Sequence, residues 1–379
     1  MAGACRWDEG TAMKIVHVSP YPMSRPGGVQ SNVRDLCAWL DRAGHETRIV
    51  SPETADATLG PGEMALGAAR EVSVHRTGFE FSVAGPGALR RARAALRDWG
   101  AEVLHLHTPW TPMMPWQLWR RMDLPAVATF HATLPETDKP GLEDRFIARA
   151  ARHFHRRLDA LIVPSTAPLE QWRRLGLDPL PQVLSPTIDL ADWRDGDRGG
   201  DRRPGPFRVV YLGRFEARKG VDVLIRAWNA RPEALRDAEL VLAGRGDLPA
   251  PLPEGARLVQ SPDRAEAIRL VSDADVSVAP AGYGESFGLV LIEAMAAGTV
   301  PVAAANAGYA TVMTGPGADL TFPVGDADAL AARLAGLAGD PVRLDRLRDW
   351  GRDHAARYDV GAVGPRYVAL YESAVRGGA

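Results

Sequence analysis

The densest run of residues suited to chemistry is Gly284-Glu285-Ser286-Phe287-Gly288-Leu289-Val290-Leu291-Ile292-Glu293, which closes on Ala294-Met295-Ala296-Ala297-Gly298. A short apolar run ending at Pro280 reads as a strand, the glycine-rich stretch as a loop, and a helix follows from near Phe287. A helix start offers unpaired N–H groups and a partial positive charge, which suit a phosphate or diphosphate. Glu285 stands just before those amides and Glu293 within the helix. Their separation of eight residues at helical rise is about 12 Å, close to the distance between the two sugar-like ends of a nucleotide sugar. One carboxylate then accepts hydrogen bonds from the transferred sugar and the other from the ribose. Either glutamate alone is as well explained as a cap or an ion-paired surface group; the whole string is what points to a ligand.

A second group, Gly213-Arg214-Phe215-Glu216-Ala217-Arg218-Lys219-Gly220, directly follows another apolar strand pattern. A diphosphate leaving group gains negative charge as its glycosidic bond breaks, and fixed cations stabilise that charge, Arg as a fork and Lys as a point charge. The lysines of the chain are Lys14, Lys139 and Lys219, so basic surface is built almost entirely from arginine, as GC-rich coding favours, and Lys219 departs from that habit. A third group, Pro26-Gly27-Gly28-Val29-Gln30, follows the first strand; its glycines allow close backbone approach to a ligand, or merely a tight turn. It is not the GxGxxG dinucleotide pattern, which removes the main support for a hydride-transfer enzyme. The fourth is Thr129-Phe130-His131-Ala132-Thr133 at a strand end, where His131 can hydrogen-bond the transferred sugar or serve the fold. His105 and His107 share one face of a strand. Without accompanying Cys or carboxylates they read as structural, and no metal is expected.

These groups need a scaffold that gathers strand ends. Strand patterns at residues 15–19, 47–50, 103–107, 126–130 and 160–163 alternate with helical patterns at 29–43, 88–99 and 142–158. After a stretch rich in Asp, Arg, Gly and Pro at 192–206 the alternation restarts. Strands at 208–212, 239–243, 275–279 and 300–304 then alternate with helices at 221–229, 265–271, 289–297, 327–337 and 342–357. The expectation is an α/β chain with two parallel-sheet domains, residues 14–190 and 207–360, and a final amphipathic segment, 361–379, returning to the first. Ligands of such sheets bind beyond the carboxyl ends of the strands, where all four groups lie. The 379 residues suit two cores, and 46% apolar with 24% charged residues is a globular composition. A formal charge of −2 gives no basis for nucleic-acid binding. Two cysteines, Cys5 and Cys37, make no disulfide framework, so a cytoplasmic setting is expected. No run of residues reaches the length of a membrane span, and the stretch through Ala12 lacks a signal-peptide core. Met13-Lys14 leads straight into the first strand and reads as an alternative start.

Together the four strings resemble the large retaining glycosyltransferase family four (group 1) of the GT-B fold, in order and over nearly the whole chain, roughly Lys14 to Tyr371. Gly27-Gly28-Val29-Gln30-Ser31, Ala128-Thr129-Phe130-His131 and the 285–298 string look most like those of bacterial phosphatidylinositol mannosyltransferases. The resemblance implies two Rossmann-like domains facing across a cleft. It implies Gly27 and Gly28 against the donor phosphates or the acceptor, His131 on the donor sugar, and Arg214 and Lys219 on the diphosphate. It further implies Glu285 on sugar hydroxyls, Ser286 and the amides of Phe287, Gly288 and Leu289 near sugar and phosphate, and Glu293 on the ribose. Transfer would retain anomeric configuration, without metal or other cofactor, from a nucleotide sugar, GDP-mannose first or else a UDP-sugar. Two departures stand out. Ser185-Pro186-Thr187-Ile188-Asp189 replaces the family's frequent Asn-Gly-Val-Asp, and the loop from Arg214 to Lys219 is one residue shorter than in the phosphatidylinositol enzymes.

Arginines 90, 91, 93 and 97 fall on one predicted helix. Arg145, Arg149, Arg152, Arg156 and Arg157 fall on another, with Phe146, Phe154 and Leu158 among them, and Trp110, Trp116 and Trp119 precede Arg120 and Arg121. Basic helices with aromatics suit an anionic membrane surface and hence a lipid-linked acceptor, against the alternative of a solvated arginine face. Other activities fit less well. A pyridoxal-dependent phosphorylase would need a Schiff-base lysine, and the second half holds only Lys219. An epimerase or a catalytically silent sugar-nucleotide-binding protein keeps the fold and changes the reaction.

Overall fold

The computed structural model describes residues 12–377 apart from 26, 54–56, 75–76, 109–112, 132–148, 150, 175, 177 and 197–204. The first half contributes strands β1 (Lys14–Val18), β2 (Glu46–Ser51), β3 (Glu63–Ala65), β6 (Val103–His107), β7 (Ala126–Thr129), β8 (Ala160–Val163) and β9 (Gln182–Val183). They form one parallel sheet in the order β3-β2-β1-β6-β7-β8-β9. A separate antiparallel pair, β4 (Ala68–Val74) and β5 (Thr77–Val83), lies outside it. The second half builds a parallel sheet ordered β12-β11-β10-β13-β14-β15. Its strands are β10 (Arg208–Arg214), β11 (Glu239–Arg245), β12 (Ala256–Gln260), β13 (Val276–Ala279), β14 (Val300–Ala304) and β15 (Thr321–Phe322). In each sheet the strand order reverses beside the first strand of that half, and there ligand crevices open.

Burial follows from this layering. The central strands β6, β13 and β14 are buried throughout, as strands covered by helices on both faces must be. The helix Gly28–Arg42 turns Val33, Leu36, Cys37 and Leu40, spaced three and four apart, into the protein. Residues 191–196, placed by composition partly in a linker, include the short helix Ala191–Gly196. Its Trp193 joins Ile188 and Leu190 in the second core. The last helix, Val360–Gly377, packs Val363, Tyr367, Tyr371 and Ala374 against Ile15, Leu36, Leu40, Val103 and Val127 of the first half. A side chain at Gly364 would stand 2.6 Å from the Trp39 ring, so glycine lets this helix lie against the first one. The chain crosses back where Val360 donates to the Ile188 carbonyl at 2.8 Å and Arg194 pairs with Asp359 at 3.0 Å. The fold is GT-B: two parallel-sheet α/β halves whose strand ends face each other.

Candidate active site

The loop after β13 ends in the helix Leu289–Ala296, which starts where the apolar pattern at 289–297 begins and not as early as Phe287. Its start is set by Gly288 at φ 109°, a left-handed conformation open to glycine, where a side chain would also strike the Tyr309 ring at 2.7 Å. Neither this helix nor Gly28–Arg42 has a side-chain cap bonded at its start. The two starts meet across the cleft: a Cβ on Gly28 would lie 3.5 Å from a Leu289 methyl. Gly27 is extended, and a side chain there would overlap the Gln30 amide. Two uncapped helix N-termini so close concentrate positive potential where an anion is stabilised.

Glu285 is drawn into the basic loop. Lys219 Nζ donates to its Oε1 at 2.6 Å and Arg218 to the same oxygen at 3.2 Å, all three side chains being largely shielded. Arg218 also pairs with Glu216 at 2.9 Å. Arg214 stands farther out, half exposed and paired with Glu216 at 2.6 Å. Beside Lys219 stands Arg218 and not Arg214; nothing local in the sequence sets Arg218 apart, because its role depends on a partner 67 residues away. The loop geometry rests on small residues: a side chain at Gly308 would overlap the Glu285 carbonyl, and one at Gly220 the Pro280 carbonyl.

Ser286 and His131 join the two halves. Ser286 Oγ donates to the His131 carbonyl at 2.7 Å, and Ser165 Oγ donates to the Ser286 carbonyl at 2.6 Å. Phe287 is buried against Tyr358 at a ring distance of 5.3 Å. Pro26, Ala132 and Thr133 lie outside the described residues.

Glu293 lies within the helix, eight residues on from Glu285. Burial pushes its carboxyl up to about 7; Asp35 pushes the same way, and Arg264 opposes both. Asp35, on the opposite helix Gly28–Arg42, is raised by burial to about 6 and accepts from the Asp189 N–H at 3.0 Å. Asp35 had no place in the sequence reading, because nothing local ties it to a residue so distant in the chain.

The histidines form a stack. His17, His105 and His107 are buried, and His131 adjoins them. His131 Nε2 and His107 Nδ1 are hydrogen-bonded at 2.8 Å, and His107 Nε2 and His17 Nδ1 at 3.2 Å. His105 is bonded to Tyr371 Oη and Thr129 Oγ1, both at 2.8 Å. Ligand atoms of His17, His105 and His107 lie within 4.8 Å of one another, so among the described residues this is a group able to hold a metal ion by spacing. To bind one, His105 would have to give up one of its two bonds, and the group contains no carboxylate to offset the charge. Burial keeps these rings neutral, His131 near 4, His17 near 3, His105 and His107 also well below the ordinary range.

On the basic face the structure corrects one of the arginines, Arg93, and gives exposed Arg97 a structural bond as well. Arg93 is buried in the helix Pro86–Trp99 and donates to the Leu118 and Gln117 carbonyls, while Arg97 donates to the Arg121 carbonyl at 2.7 Å. Both tie elements together, because their helix packs directly on Met113–Trp119. Arg90, Arg91, Arg149, Arg156 and Arg157 are exposed, and Arg120 lies over the Trp116 ring at 4.7 Å. Trp110, Arg145 and Phe146 lie outside the described residues. Among the described residues no helix is long and apolar enough to cross a membrane.

A cleft between two such sheets, with a Glu-Lys-Arg cluster beside paired helix starts, defines a glycosyltransferase. The match to known proteins is specific: residues 26–192 fit the model of Glycosyltransferase Family 4, and 206–340 that of Glycosyl transferases group 1. The phosphatidyl-myo-inositol mannosyltransferase of Propionibacterium freudenreichii subsp. shermanii is 32% identical over 95% of this chain and 94% of its own. That of Mycobacterium leprae is 32% identical over 97% and 98%. Among solved structures, sucrose-phosphate synthase from Thermosynechococcus elongatus superposes with a TM-score of 0.72 at 22% identity, over 96% of this chain and 100% of that one. The chain belongs to the family-4, group-1 glycosyltransferases and is an enzyme of that class.

Proposed function

We propose that this enzyme transfers a hexosyl group, mannose first, from a nucleoside diphosphate sugar to a lipid-linked acceptor of the phosphatidylinositol type, with retention. The observation that carries the reading is the meeting of two uncapped helix starts, at Gly28 and Leu289, beside Lys219 and Arg218. The diphosphate sits between the helix starts. Its developing charge is met by Lys219 and Arg218, with Arg214 swinging in from the rim once Glu216 releases it. Freed from Lys219 as the phosphate arrives, Glu285 accepts hydrogen bonds from sugar hydroxyls, and Glu293 accepts them from the ribose. The leaving phosphate takes the acceptor's proton on the face from which it departs, which retains configuration. The acceptor class is drawn from the relatives named phosphatidyl-myo-inositol mannosyltransferase and from the exposed arginines with Trp116. Peripheral attachment to the inner face of the membrane follows from that class.

Thermal shift against GDP-, UDP- and ADP-sugars and their free nucleotides identifies the donor, because a ligand of the folded state stabilises it by mass action. Transfer of labelled mannose from GDP-mannose to phosphatidylinositol vesicles, lost in Glu285→Ala and Lys219→Ala, is the expected outcome. Stabilisation by GDP-mannose without transfer to any acceptor would instead favour a silent binding protein. Flotation with anionic vesicles, weakened by Arg149→Glu with Arg156→Glu and by salt, tests the membrane face.

A further inference from the structure

The buried histidines outside the donor loop have a property that their spacing alone does not reveal. His131, His107 and His17 are joined end to end, Nε2 to Nδ1 and Nε2 to Nδ1. A neutral imidazole carries one N–H, so each link needs a donor nitrogen facing an acceptor nitrogen. Only two fully bonded arrangements of three neutral rings satisfy that. In one, His131 donates from Nε2, His107 donates from Nε2, and the proton of His17 is left on its own Nε2. In the other, His17 donates from Nδ1, His107 donates from Nδ1, and the proton of His131 is left on Nδ1.

The far end of the chain separates them. His17 Nε2 is buried and, among the described residues, has no hydrogen-bond partner. The first arrangement strands an N–H donor there, and the second leaves a bare lone pair. Buried donors without acceptors are the rarer defect in folded proteins, under-used acceptors the more tolerated one. We propose that His107 and His17 are positioning residues that hold His131 with its proton on Nδ1, so that His131 offers its ligand a hydrogen-bond donor and not a base. His131 is the member of the chain placed to use this. As a residue it is less buried than His17 and His107, its Nε2 is occupied by His107, and its carbonyl accepts from Ser286 on the donor loop. The group best recognised is a sugar hydroxyl oxygen, with His131 fixed as donor before the sugar arrives. The neutrality of the three rings, imposed by burial, keeps the chain polarised across the physiological range. His105 does not compete, since its partners are hydroxyls that turn to suit either tautomer.

The catalytic consequence rests on the glycosyl-transfer reading above, whereas the tautomer itself does not. The test is therefore two-armed. Long-range 1H–15N ring spectra of the free full-length protein at pH 7, assigned with single histidine variants, are expected to show His131, His107 and His17 protonated at Nδ1. His107→Phe should return His131 to the Nε2-protonated form that a free neutral imidazole prefers. His107→Asn carries an N–H in place of Nδ1 and should restore the Nδ1 form. In the transfer assay His107→Phe is expected to lower kcat/KM about tenfold, the weight of one misdirected hydrogen bond, with His107→Asn recovering most of it. A wild-type His131 protonated at Nε2 overturns the proposal, as does equal impairment of the Phe and Asn variants. Absence of transfer by the wild type with any nucleotide sugar would count against the assigned reaction and leave the ring spectra standing.

Discussion

Glu293→Gln is expected to stabilise the ligand-free protein by an amount that grows as pH rises from 4.5 and is full above pH 7. Burial and the neighbouring Asp35 raise the Glu293 carboxyl from 4.5 to about 7 against the pull of Arg264. In the unfolded chain it ionises near its ordinary value, so between pH 4.5 and 7 the folded state holds more protons than the unfolded one. Stability then falls as pH rises through that window. The gap corresponds to about 3 kcal/mol against the folded carboxylate above pH 7, and it closes below pH 4.5. Glutamine keeps the shape and removes the charge, so urea midpoints should show a gain of about 2–3 kcal/mol at pH 8 and about 0.8 kcal/mol or less at pH 5. If the ribose hydroxyls donate to this carboxylate, nucleotide binding at pH 6.5 also expels a proton, visible as a buffer-dependent calorimetric enthalpy that the Gln variant lacks. A gain of equal size at both pH values, or a loss at pH 8, would show that Glu293 is not a strained carboxylate and would refute this reasoning.

Gly308→Ala should reshape the donor loop, because a methyl there overlaps the Glu285 carbonyl; nucleotide-induced thermal stabilisation is expected to vanish with about 1–3 kcal/mol of stability. Lys219→Ala should lower kcat on the order of a hundredfold with little change in KM, and Arg218→Ala by a similar factor, since both already hold Glu285 in the free enzyme; steady-state kinetics decide this. Gly364→Val should push the last helix off Trp39 and cost about 1–3 kcal/mol, read as a lower urea midpoint and earlier proteolytic release of the C-terminal segment.

What the sequence revealed was what is local in it. The donor string announces itself because the glycines, the Glu285 and Glu293 pair and the apolar helix lie within fifteen residues, and the strand–helix alternation follows from composition within each element. Residues whose meaning depends on a distant partner stayed hidden. Arg218 reads as one more basic turn residue until the fold sets it between Glu216 and Glu285. The histidine chain needs β1 to lie beside β6 with His17 level with His105, a register that neither strand states alone. Arg93 has the same periodicity as its exposed neighbours, yet the packing of its helix on Met113–Trp119 buries it. Trp193 was lost in a stretch whose Asp, Arg and Gly read as linker, although one large apolar residue suffices to anchor a turn of helix in the adjacent core.

Among the described residues, the hydrogen bonds that hold the donor loop to the first half are those of two hydroxyls, and this sets how the halves communicate. Ser286 donates to the His131 carbonyl and receives from Ser165, so one serine on the loop carries both bonds. Each contributes about 1 kcal/mol, an amount that ligand binding readily outweighs. Other ties at the junction do not involve that loop: Asn32 donates to Thr187, Asp189 donates to Asp35, Arg42 pairs with Asp189, Arg194 pairs with Asp359, and the chain crossing at Ile188 and Val360 is main-chain pairing. The junction therefore has a firm side, at the crossing, and a light side, at the donor loop. Two helix starts of like partial charge face each other on the light side, an arrangement that an anion between them stabilises and its absence does not. If the proposed donor binds there, its phosphate is the component best able to hold Gly28 and Leu289 together, and with them His131 and Glu285.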